Sequence, residues 1–130
     1  MSGPIPDPQV LVIGIDPRRM GGGFDPEPVV QAIDTGMAKF AEHGIGAESC
    51  LFGIDGSDDP EQLATAALAS RAWKCVIVGV GLRKADNELL LFEQMINLVH
   101  RHAPNAAIAF NATLPEFYEA AARWLDLPSA

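Results

Sequence analysis

At 130 residues the chain is the size of one domain, and 48% hydrophobic with 20% charged residues is the makeup of a packed globule rather than a disordered segment. A formal net charge of −8, from 17 acidic and 9 basic residues, argues against nucleic-acid binding, which needs lysine and arginine to neutralise phosphates, and against docking on anionic lipid. No apolar run nears the roughly 18 residues that span a bilayer, so no membrane partner is expected.

The first stretch, residues 1–8, carries three prolines and reads as an extended lead-in. It has neither the basic segment nor the apolar core of a signal peptide, and a cytoplasmic location is the expectation. Val10–Ile15 is a continuous apolar run rich in β-branched residues, the pattern of a strand covered on both faces. Asp25-Pro26-Glu27 then combines an N-cap, a proline in the first turn and an acidic residue, and starts a helix. Val29, Val30, Ile33, Met37 and Phe40 continue it at helical spacing, with Gly44 as its stop. Glu48–Phe52 is a weaker, more amphipathic strand that suits a sheet edge. Asp59-Pro60-Glu61-Gln62 repeats the helix start, with Gln62 in the capping-box position, ahead of an alanine-rich helix. Lys74–Val80 is a third strand, as apolar as the first. Asp86 is placed to cap a helix from Asn87 to about His102, ended by Pro104. Ala106–Phe110 is the fourth strand. Thr113-Leu114-Pro115-Glu116 forms a capping box for a last helix that turns Phe117, Ala120, Ala121 and Trp124 inward.

Four strands alternating with helices predict one α/β domain over residues 1–130. It would have three layers, α/β/α, around a four-stranded parallel sheet in the order 2-1-3-4. The arrangement resembles the flavodoxin-like, or Rossmann-like, fold over nearly the whole chain, as topology. The functional motifs of that group are not matched. Flavodoxins hold the flavin phosphate in a Ser/Thr-rich loop after the first strand, but residues 16–25 contain neither. Response-regulator receivers need an aspartate at the end of strand three, where this chain has Gly79-Val80-Gly81. Cobalamin-binding domains carry D-x-H-x-x-G, and Asp16…Gly21 has Arg18 in place of the cobalt-ligating histidine. No cofactor is therefore assigned. No metal site is expected, because no Cys, His and carboxylate spacing suits one. Cys50 and Cys75 fall in strands separated by a third, roughly 9–10 Å apart, which is too far for a disulfide.

In a sheet of this order the loops after strands one and three diverge and leave a crevice at their carboxyl ends, the usual ligand position. Both loops are unusual in composition. Residues 16–25 and 79–86 hold four of the nine basic residues (Arg18, Arg19, Arg83, Lys84) and five of the twelve glycines. Arginine forks bind carboxylate or phosphate bidentately, and the backbones at Gly21, Gly22, Gly79 and Gly81 let N–H groups approach a ligand closely. Asn87 and Asn111 are candidates to bind a neutral part, and Asp16 to orient the ligand or act as a base. The expectation is an anionic, phosphate- or carboxylate-bearing small molecule held in a cationic notch. The competing expectation is that the arginines pair with nearby carboxylates such as Asp16 and Asp25.

The helix 87–102 suggests a function of another class. Leu89, Phe92, Ile96 and Val99 form one apolar stripe, and Leu90, Leu91, Met95 and Leu98 another beside it. Together they exceed the arc of a little over 100° that a helix lying on a sheet buries. The surplus suits a homodimer, and hence a non-catalytic oligomeric module without a small-molecule ligand, unless Tyr118 and Trp124 cover it within the chain.

Overall fold

The apolar runs become strands because each offers a side chain to both sheet faces in turn. The computed structural model describes residues 8–20, 23–84 and 88–128. It places β1 at Pro8–Ile15, β2 at Gly46–Phe52, β3 at Cys75–Val78 and β4 at Ala107–Phe110. All pairings are parallel and the order is β2-β1-β3-β4, the flavodoxin-like topology. Val10 of β1 stands opposite both Ala47 and Cys75, and Ile77 of β3 opposite both Val12 and Ala109. The central strands β1 and β3 are buried on both faces, while the edge strand β2 exposes Glu48 and Ser49.

The helices are α1 (Glu27–Glu42), α2 (Pro60–Ala69), α3 (Val80–Lys84), α4 (Leu89–His102) and α5 (Phe117–Ala122). The Asp59 start signal works through the bond it implies, Asp59 Oδ1 accepting from Gln62 N at 3.2 Å. At α1 the N-cap is Pro26 rather than Asp25, whose Oδ1 accepts from Glu27 N at 3.1 Å from one residue further out. At the end of α1, Gly44 takes φ +74°, which only glycine adopts cheaply. There Gly44 N donates to Ala41 O at 3.1 Å and Ile45 N to Phe40 O at 2.9 Å, the two bonds of a Schellman stop.

Two cores result. Leu11, Ile13, Val76 and Val78 face α2 and α4, with Leu68, Met95 and Val99 packed on them. Val10, Val12, Cys75 and Ile77 face α1 and α5, which contribute Ile33, Phe40, Phe117 and Tyr118. Cys50 and Cys75 thus belong to opposite faces and both are free. Burial pushes the Cys75 thiol up to about 11. Among the described residues no helix is long and apolar enough to cross a membrane.

Several local expectations change. Thr113 and Glu116 do not form the expected capping box: α5 has Glu116 itself as N-cap without a side-chain cap bond, and the Thr113 hydroxyl donates to Glu116 Oε1 instead. Asp86, the expected cap, lies outside the described residues, and the helix begins at Leu89. Trp124 is 62% exposed rather than inward, because α5 ends at Ala122 and the helical spacing that would bury it stops there. Tyr118 packs on the α1 side against Phe40, so neither aromatic covers α4.

Candidate functional site

The sheet order decides where the loops go. After β1 the chain leans toward β2: Asp16 N donates to Phe52 O at 2.8 Å, and Ile54 N to Arg19 O at 3.0 Å. After β3 it leans toward β4, with Val80 N donating to Asn111 Oδ1 at 2.9 Å. Between the parted loops, at the carboxyl ends of β1 and β3, lies a cavity of about 310 Å³. Its floor is Val12, Gly14 and Gly79; α1 supplies Val29 and Ile33, and the segment into α5 supplies Leu114 and Phe117. Met20, Phe24 and Lys84 also line it. Below the cavity α1 and α5 close together at Gly36, where an added Cβ would sit 2.7 Å from Phe117 Cδ2 and 2.8 Å from Pro115 O.

The parting that opens the crevice also carries the arginines away from it. Asp16 caps a 3-10 turn, Pro17–Arg19, by accepting from Arg18 N at 2.9 Å. That turn directs Arg18 to Glu27, at 3.1 Å, and Arg19 to Asp16, at 3.0 Å, and to Asp58. Arg83 donates to Asn111 O at 3.2 Å and lies 5.8 Å from the centre of the Phe110 ring. Arg83 and Lys84 separate because residues 79–84 are not an open loop. In α3, positions 80, 81 and 84 fall on one face and 82 and 83 on the other. Val80, Gly81 and Lys84 accordingly line the cavity, while Leu82 joins the opposite core.

No family model matches the chain, and no curated protein or solved structure matches it.

Of the residues singled out from the sequence, Gly79, Gly81, Lys84 and Asn111 meet at the cavity. Asp16, Arg18, Arg19 and Arg83 are not on its lining among the described residues, and Gly21, Gly22 and Asn87 lie outside those residues. Asn111 is fully buried and its amide is occupied: it accepts from Val80 N and donates to Thr113 O at 2.8 Å and Leu114 O at 3.3 Å. Asp16 is a poor base. Partial burial pushes its carboxyl up, but the Arg18 N–H and the Arg19 guanidinium outweigh that and hold it below the ordinary aspartate value. In the loop after β2, the Ser57 hydroxyl and N–H hold Asp55 low as well. The apolar wall residues Val29, Ile33 and Phe117 were not candidates from the sequence, because at helical spacing they read as ordinary core, and Leu114 was read as part of a helix cap. A signal for the turn at Asp16 was present, since Asp16-Pro17 is the same Asp-Pro pair that starts α1 and α2.

Proposed function

We propose that this protein binds an anionic small molecule in the crevice at the carboxyl ends of β1 and β3. The observation that carries this is the cavity itself: about 310 Å³ between walls from α1 and the segment leading into α5, at the switch point of the sheet, with Lys84 on its lining. The apolar part of the ligand occupies the cavity and the anionic part lies toward Lys84. The role is binding; Asp16, the one side chain considered as a base, is engaged by Arg18 and Arg19.

A thermal-shift survey of carboxylated and phosphorylated metabolites tests this, with Gly81→Phe as the blocking variant. Gly81 is on the lining and a Cβ there meets no heavy atom within 4 Å, so a larger side chain can be rooted at that position to obstruct the crevice, with unchanged far-UV circular dichroism checking that the fold is kept. A ligand at 100 times its Kd stabilises the folded state by about 2.7 kcal/mol, which shifts Tm by several degrees. The expected outcome is a ligand-dependent rise in the wild type that Gly81→Phe abolishes. A survey in which no anionic compound raises Tm would end the proposal.

A second reading, an oligomeric module, is favoured by Leu89 and Leu90, which are 66% and 80% exposed at the start of α4.

A further inference from the structure

Taken as a ligand site, as proposed above, the crevice has a chemistry narrower than anion binding in general. We infer that its ligand is a monocarboxylate with an apolar body, of about ten non-hydrogen atoms in all. Size comes from the cavity, about 310 Å³, at roughly 30 Å³ for each water-sized group. Polarity comes from its walls. Val12, Ile33, Leu51, Leu114 and Phe117 present carbon, and a polar group placed against them loses its water without gaining a partner. The carboxamide of Asn111, which also touches the cavity, is committed to Val80 N, Thr113 O and Leu114 O.

Charge complementarity fixes the head group. Among the described lining residues Lys84 alone carries a charge, and it stands with Gly81 on the same face of α3. One ammonium balances one carboxylate. A phosphate dianion calls for a fork or several donors. The guanidinium groups of Arg18 and Arg19 pair with Glu27 and with Asp16 and Asp58. Arg83, which donates through Nη2 to Asn111 O and has a buried Nη1 without a partner among the described residues, is not on the lining. Phe24, 44% exposed and on the lining, extends the apolar surface outward, as suits a ligand whose body enters before its head.

Octanoate, octanol and octyl phosphate share one chain and differ in the head, so they separate body from charge. Titration calorimetry would measure their affinities for the wild-type protein, Lys84→Met and Gly81→Phe, with methyl NMR of Val12, Ile33 and Leu114 locating the bound chain. Octanoate is expected to bind the wild type about fivefold or more tightly than octanol, the effect of one partly screened charge pair. Lys84→Met is expected to reduce octanoate to the level of octanol and leave octanol unchanged. Gly81→Phe is expected to weaken both, and the three methyl signals to shift only where binding occurs. Tighter binding of octyl phosphate would overturn the monocarboxylate class while leaving the crevice as an anion site. Equal affinities for octanoate and octanol, with the methyls shifting, would overturn the anionic reading as well and leave only an apolar ligand site. Binding that persists in Gly81→Phe without shifting those methyls, or no binding of any probe, would overturn both.

Discussion

Asn111 is fully buried, and one acceptor and two donors of its carboxamide join three separate backbone positions across the carboxyl end of the sheet. Through Val80 it fixes the start of α3, and through Thr113 and Leu114 the turn that leads into α5. Removing the amide leaves a buried N–H and two carbonyls to find water or remain unpaired. Asn111→Ala is therefore expected to lower stability by about 2–3 kcal/mol, read by urea denaturation as a lower midpoint at unchanged slope. A loss below about 0.5 kcal/mol would show that water replaces the amide without cost. The residue was visible in the sequence as a polar side chain after an apolar strand, but a ligand donor and a structural clamp look alike there. Only the distances to Val80 N and Thr113 O distinguish them. Arg19 is similar: its partner Asp58 lies 39 positions away and comes beside it only because β1 and β2 pair.

At the scale of elements, the cavity exists because α1 and α5 touch at one depth and part above it. Gly36 makes the touching possible, since its missing side chain leaves room for Pro115 O and the Phe117 ring. Alanine at an ordinary helix position would add up to about 1 kcal/mol over glycine. Here the new methyl would lie 2.8 Å from a backbone carbonyl, and that atom moves only with its whole segment. Overpacking of this kind costs about 1–3 kcal/mol, so it outweighs the helix gain. Gly36→Ala is expected to lower stability by about 1–2 kcal/mol and to perturb the amide signals of residues 116–118; a stabilised variant would mean α5 yields freely. Start signals were legible for α1 and α2 because Asp-Pro caps act locally. The helix α3 was not legible, because Gly79 and Gly81 read as loop residues and five residues show too little periodicity to reveal that Arg83 and Lys84 diverge.

At the scale of the whole molecule, strand order and the position of the crevice followed from the apolar runs, because a strand buried on both faces has few places in a sheet. Its charge followed only in part: the Arg19–Asp16 pair was open in the sequence as the competing expectation, whereas Arg19–Asp58 and Arg83–Asn111 join positions distant in sequence. What remains outside both cores at the start of α4 is Leu89 and Leu90, 66% and 80% exposed. Two-fold pairing through them would bury four leucines in all, each contributing about 1.5–2 kcal/mol, or roughly 6–8 kcal/mol together. Association itself costs at least about 4 kcal/mol, so the surplus is at most about 2–4 kcal/mol and supports only a weak dimer, with a Kd of about a millimolar or higher. Sedimentation velocity over a concentration series is expected to show the wild type moving from monomer toward dimer, while Leu90→Glu stays monomeric throughout with its far-UV circular dichroism unchanged. Leu90 is too exposed for the variant to disturb the core, so a wild type that sediments like Leu90→Glu even at several millimolar would count against the interface rather than against the protein's folding.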